Sequence, residues 1–305
     1  MTSHDVVSLI RRVLGIKKAG HAGTLDPEAA GVLPILIGRA TKIMPYLEHL
    51  EKAYRAEIVF GIATDTMDAS GSVTSEKRGF RIPREVLMKA LERFEGKIKQ
   101  VPPMVSAVHH RGKRLYELAR QGVVVERPAR EVEIFRIEVF NWGHTGMEIG
   151  FGDSVTIDVR CSQGTYIRAL CHDIGEMLGC GAYLLFLLRT ESSGFSIGES
   201  VTLEELSRAV SSRRTHSVVV PISYALRNMP SVAISPEEVS TVAAGGPISR
   251  AYLPGDIRNL PDGTKLRLMY DGAVVAIAIA SNSGGQYILK PERVLLPAMR
   301  SNQEV

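Results

Sequence analysis

Apolar positions along this chain keep two different periods, and these divide it into helices and strands. Val6, Val7, Ile10, Val13 and Leu14 fall three and four apart, one stripe of a helix that Ser3 would cap and Gly15 would end. Residues 32–37 form a continuous apolar run, the pattern of a buried strand. Residues 41–50 predict a helix with Ile43, Met44 and Leu47 turned inward. From Tyr54 to Phe60 the period drops to two, so Tyr54, Ala56, Ile58 and Phe60 share one face of a strand. Pro83 opens a helix carrying Val86, Leu87, Ala90, Leu91 and Phe94, closed by Gly96. Residues 113–121 predict a short helix. Strands around 132–139 and 155–159, a helix over 166–178 stopped by Gly179, and an apolar strand at 184–188 follow. Thr202 and Glu205 have the spacing of a capping box.

Helices and strands mix here without strict alternation. That indicates an α+β fold with a mixed, largely antiparallel central sheet flanked by helices, rather than a doubly wound one. The polar, basic stretch 211–216 marks the edge of a linker. Beyond residue 229 the texture changes. Ser235-Pro236-Glu237-Glu238 starts a short helix, Gly245-Gly246 breaks it, and Asp271-Gly272 between two apolar runs signals a two-residue hairpin. The expected organisation is a large domain over residues 1–215 and a small strand-rich domain over residues 229–300.

The 305 residues are 45% hydrophobic and 23% charged, the composition of a globular protein able to bury a sizeable core. A net charge of +4 permits a polyanionic partner without requiring one. Basic residues gather at Arg11-Arg12, Lys17-Lys18, residues 111–114 and Arg213-Arg214. Cys161, Cys171 and Cys180 form no CxxC pair and follow no secretory leader, so they are expected to be buried thiols in a reducing cytoplasm. Every apolar stretch is far shorter than the roughly 18 residues of a membrane span. No P-loop ending is present, residues 65–71 read as a polar turn rather than a calcium loop, and the histidines have no ligand spacing, so no metal is expected.

The richest stretch chemically is Gly20-His21-Ala22-Gly23-Thr24-Leu25-Asp26-Pro27-Glu28-Ala29-Ala30-Gly31. Its glycines open backbone angles closed to other residues and allow a ligand to approach. Pro27 pushes Asp26 out of the helical region. Asp26 is therefore a candidate catalytic acid, expected to be buried. Asp-Pro-Glu-Ala is also a good helix start, with Asp26 as the cap. A second stretch, Ser162-Gln163-Gly164-Thr165-Tyr166-Ile167-Arg168, joins a strand to a helix through glycine and delivers Tyr166 and Arg168 at the helix start. A guanidinium suits bidentate pairing with a carboxylate, and Asp26 is a candidate partner. Tyr54 and Tyr166 could stack on an unpaired base.

Residues 20–31, Tyr54, Thr64-Asp65-Thr66 with Asp68, residues 164–168 and 187–189 closely resemble the TruB family, the bacterial tRNA pseudouridine-55 synthases. Residues 101–107 and 112–120 resemble that family's RNA-embracing insertion. The resemblance covers nearly the whole chain. It implies a pseudouridine synthase fold with an RNA-binding insertion over about residues 100–135, and a C-terminal PUA-like barrel. Carried over by position, the nucleophile falls on Asp26 and the base-stacking tyrosine on Tyr54. The histidine that enters the opened RNA loop falls on His21, the second pocket aromatic on Tyr166, the arginine paired with the aspartate on Arg168, and the apolar wall on Leu187. The family usually carries a strand and a Lys-Pro-x-Gly turn before its Thr-Ser-His; here Met1 directly precedes Thr2-Ser3-His4. Val105 stands where tyrosine is common and His109 where lysine is common.

The implied activity is isomerisation of one T-loop uridine of tRNA, without a cofactor, by a cytoplasmic monomer that needs no protein partner and no membrane. Two rival readings are a guide-dependent pseudouridine synthase sharing the same core and a non-catalytic RNA-binding protein.

Overall fold

The computed structural model describes residues 1–47, 50–104, 109–110, 113–114, 123, 125–143, 145–253, 257 and 260–296. The first helix, α1 (Ser3–Leu14), ends at Gly15 in the left-handed conformation (φ 64°). Its cap is Thr2, not Ser3: the Thr2 hydroxyl accepts the Asp5 N–H at 3.2 Å, and the Asp5 carboxylate accepts the Thr2 N–H at 2.8 Å. Thr2 takes the cap because it alone stands three residues before an acid that can answer it. Ser3 is left free for another task.

The apolar run 32–37 is strand only at its end. Strand β1 (Ala19–His21) pairs with β3 (Ile35–Ile37), and β2 (Ala30–Gly31) lies apart from both. Val32 leaves the pair because its N–H goes to the Arg189 carbonyl at 2.9 Å, and Pro34 has no N–H to give. The helix expected over 41–50 divides into a 3-10 turn (Gly38–Ile43) and α2 (Met44–Leu47). Pro45 cannot donate to the preceding turn, so a new helix starts there. Residues 48–49 lie outside the described residues. The helix expected over 113–121 is a strand at its start, Lys113–Arg114, paired with His109–His110; residues 115–122, and Val105, also lie outside the described residues.

The central sheet is built from β4 (Lys52–Phe60), β8 (Gly96–Gln100), β11 (Arg130–Asn141), β13 (Ser154–Cys161), β14 (Ala182–Ser192) and β15 (Phe195–Ser196). Their spatial order is β15-β14-β4-β13-β11-β8, antiparallel throughout, with β2 added parallel to β14. Helices α3 (Arg84–Glu92) and α4 (Ile167–Met177) bring Leu87, Leu91, Leu170 and Ile174 against Tyr54, Ala56, Ile58 and Phe60 of β4 in one core. The three cysteines are buried there, and burial pushes the Cys161 thiol up to about 11.

A second sheet follows α5 (Leu203–Ser211) and α6 (Ile222–Ala225). It contains β16 (Ser231–Ala233), β17 (Ile248–Arg250), β18 (Lys265–Tyr270), β19 (Ala273–Ser283) and β20 (Gln286–Val294), in the order β16-β18-β19-β20-β17. The helix α7 (Pro236–Ala243) packs on it, capped by Ser235 and Glu238. Asp271 and Gly272, at φ 47° and 70°, make the tight β18–β19 turn. A third apolar cluster packs the segment from β3 to α2 against the second sheet: Leu36, Ile43 and Leu47 meet Leu226, Val274, Ile277 and Leu295. Arg267 reinforces the joint by donating to the carbonyls of Met229 at 2.9 Å and Ser223 at 3.0 Å. Among the described residues, no helix is long and apolar enough to cross a membrane.

Gly31 is required by close approach. Its φ is 109°, and a Cβ there would lie 2.2 Å from the Arg189 carbonyl oxygen. Gly31→Ala should cost about 3 kcal/mol through combined strain and overlap, measurable as a lower urea midpoint; an unchanged midpoint would count against the β2–β14 pairing. Arg250 holds the Glu238 carboxyl below its ordinary 4.5. That stabilisation is complete above the unfolded value and is lost as pH falls below it. Glu238→Gln should therefore flatten the acid limb of a stability–pH curve, and an unaltered limb would refute the assignment.

Candidate active site

Residues 22–29 form no strand and no helix. Asp26-Pro27-Glu28-Ala29 is a tight turn, closed by the Ala29 N–H on the Asp26 carbonyl at 3.0 Å. No helix follows, because the chain returns at Ala30 to pair with β14. The capping alternative for Asp26 therefore falls away, and its carboxylate is released to other partners.

One partner comes from α4. The buried Gln100 clamps its start: the Tyr166 N–H donates to Gln100 Oε1 at 2.7 Å, and Gln100 Nε2 donates to the Tyr166 carbonyl at 3.0 Å. Two residues on, the Arg168 guanidinium presents one edge, Nε and Nη2, to Asp26. Nε lies 2.9 Å from Oδ2, and Nη2 donates to Oδ1 at 3.2 Å. The third nitrogen, Nη1, lies 3.3 Å from Asp68 Oδ2 and donates to the Thr66 carbonyl at 3.3 Å. The remaining Asp68 oxygen accepts the Thr66 hydroxyl at 2.7 Å, the Ser70 hydroxyl at 2.6 Å and the Ser70 N–H at 3.0 Å. Asp68 is thus immobilised on one side of the cation and anchors it.

Side-chain exposure separates the two acids. Arg168 is 4% exposed and Asp68 16%, whereas Asp26 is 40% exposed. The expectation of a buried Asp26 is corrected: it sits at the rim. Its turn leaves the carboxylate partly open to solvent while Arg168 pairs with it. A carboxylate oriented from behind by a fixed cation, with an open front, can attack a substrate.

Strand register sets the wall behind it. Residue pairs of β4 and β14 oppose Tyr54 to Arg189 and Ala56 to Leu187. Tyr54, Leu187 and Arg189 therefore share one face, and Leu188 takes the other. Burial pushes the Tyr54 hydroxyl up to about 12, so it is a neutral phenol at any working pH. Arg189 is fully buried, which lowers its pKa, yet each of its three nitrogens finds an acceptor. Nε bonds the Val32 carbonyl at 2.7 Å, Nη1 that of Thr24 at 3.1 Å and Nη2 that of Gly23 at 3.1 Å.

The structure thus pairs Asp26 with Arg168 and puts Tyr54 within electrostatic range of Asp26, with Leu187 on the same sheet face as Tyr54. His21 lies on β1 and lines a separate cleft of about 350 Å³ with His4, Val7, Arg11, Thr24 and Met44. Tyr166 is half-buried at the start of α4. The sequence reading missed roles for Asp68, Gln100 and Arg189. Asp68 stands in the run taken as a polar turn. For Arg189 a signal existed: a charge two residues after Leu187 in an apolar strand must point into the core.

Against known families, residues 11–167 match the TruB family pseudouridylate synthase N-terminal domain, and residues 168–228 match the tRNA pseudouridylate synthase B C-terminal domain. The architecture and the arginine–aspartate site define an enzyme of the pseudouridine synthase class. The chain belongs to the TruB family. A tRNA pseudouridine synthase B of Pelotomaculum thermopropionicum is 43% identical over 283 residues, covering 92% of this chain and 88% of that one. One from Symbiobacterium thermophilum is 48% identical over 245 residues, covering 80% and 78%. The crystal structure of a Cbf5–Nop10–Gar1 complex contains a chain superposing with a TM-score of 0.71 at 26% identity, covering 98% of this chain and 82% of that one.

Arg168→Lys keeps the charge but loses the fork that holds two carboxylates at once. It should slow turnover by about 100-fold while leaving RNA affinity nearly unchanged. Steady-state kinetics beside a binding titration will check this, and a loss confined to affinity would contradict the geometry.

Proposed function

We propose that this chain isomerises a T-loop uridine of tRNA to pseudouridine, with Asp26 as the nucleophile. The observation that supports this most directly is the Asp26 carboxylate, gripped from behind by Arg168 and open in front, beside Tyr54. The reaction breaks the C1′–N1 bond, turns the base and forms a C1′–C5 bond. The proton lost from C5 balances the one gained at N1. Asp26 bonds transiently to the uridine and is released unchanged. No electrons are exchanged and no group is donated, so the reaction itself requires no cofactor.

A base stacked inside an RNA loop must first leave it, at a cost of a few kcal/mol. His21 would fill the gap it leaves. Tyr54 and Tyr166 would hold the ring, and Leu187 would wall it. The small sheet from β16 to β20, in the expected domain 229–300, is assigned to RNA binding, as a PUA-like domain, together with basic residues such as Lys17 and Lys18. Phosphate contacts of this kind make affinity fall with salt.

A guide-dependent enzyme is the second reading, favoured by the structural likeness to the Cbf5 chain. Purified protein on unmodified tRNA, with no guide RNA or partner added, distinguishes the two: pseudouridine should form, and an inert mixture would favour the guided form. Asp26→Asn should abolish product while retaining tRNA binding, as scored by mass spectrometry of treated tRNA. Substantial product from that variant would overturn the nucleophile assignment. Deleting residues after 228 is a poor test of binding, because it would expose Leu36, Ile43 and Leu47.

A further inference from the structure

The three residues leading into Asp26 hang on two side chains from distant parts of the chain. Ser3, in the first turn of α1, places its hydroxyl on Leu25 twice. The Leu25 N–H donates to Ser3 Oγ at 2.9 Å, and Oγ lies 3.3 Å from the Leu25 carbonyl it donates to. Arg189 holds the carbonyls of the two preceding residues, Gly23 and Thr24. Residues 23–25 belong to no strand, so these contacts replace a sheet ladder. Both side chains are buried, Ser3 at 5% exposure and Arg189 at 0%.

We propose that Ser3, acting with Arg189, is a positioning residue: it fixes the peptide before Asp26, and so sets the aim of the carboxylate at the uridine. The proposal rests on the reading of Asp26 as nucleophile. A hydroxyl suits the task because one atom can accept from an N–H and donate to a carbonyl of the same residue. Helix stability is separable from it, since Thr2 and not Ser3 caps α1. A loop that could swing by an ångström would still bind RNA and would lose rate.

The test uses the full chain in single-turnover reactions on unmodified tRNA, with affinity and thermal midpoint measured in parallel. Ser3→Ala should lower the rate about 10- to 100-fold with affinity within about twofold. Ser3→Thr, which keeps the hydroxyl, should recover most of the rate. Thr2→Ala should lower the thermal midpoint and leave the rate intact, because it weakens the helix without touching Leu25. A Ser3→Ala rate near that of the parent chain, or equal rate losses in Thr2→Ala and Ser3→Ala, would overturn the proposal. If Ser3→Ala does not fold, Arg189→Lys takes its place: a single ammonium cannot replace the fork, so the rate should fall in the same pattern, and a normal rate refutes the idea. Asp26→Asn runs alongside as the reference. If it proves active, the nucleophile reading fails first; if it is inert while Ser3→Ala is normal, only the positioning proposal fails.

Discussion

A guanidinium that cannot shed its charge lies in the core at Arg168, and the site is organised around satisfying it. Arginine stays protonated in any protein interior, so burying it demands oppositely charged or well-aimed polar partners. Asp68 meets that demand from a loop tied down by its own hydroxyl and amide contacts. Asp26 meets it from the glycine-rich loop. The two acids are not equivalent, because one is enclosed and the other faces outward. The cation holds the outward acid in one orientation, the preorganisation that the proposed role of Asp26 as nucleophile calls for.

The second buried arginine solves a different problem. Arg189 forms no ion pair with a carboxylate among the described residues; its donors end on loop carbonyls and on the Tyr54 side chain. Removing such a cation from water is expensive, and an apolar residue at that place would cost less in desolvation. What the cation supplies instead is a rigid three-point support beneath an irregular loop. Gly31 allows the strand carrying Arg189 to approach that loop closely enough for the support to reach.

Much of the fold was legible in the sequence because its elements declare themselves locally. The period-two pattern of β4, the box at Thr202 and Glu205, and the Asp271-Gly272 turn each depend on neighbours a few residues away. Asp26 and Arg168 were paired by chemistry, one carboxylate in a constrained turn and one fork at a helix start. Other features depended on distant partners. Ser3 looked like a cap until Thr2 and Asp5 were seen to close on each other. Val32 left its strand for a carbonyl more than 150 residues away in the chain, on Arg189. Asp68 sits in a stretch whose composition says only that it is polar, and no local pattern announces an arginine waiting across the sheet. The exposure of Asp26 followed from the direction of its turn, which spacing does not encode.

The apolar joint through Leu36, Leu47, Val274 and Ile277 has a mechanical consequence. Swinging the second sheet away from residues 36–47 would wet this seam, and the cost of exposing it opposes such a movement. A ligand touching both parts would therefore meet a spacing that is costly to change, and its own shape would carry more of the discrimination than a hinge in the protein would.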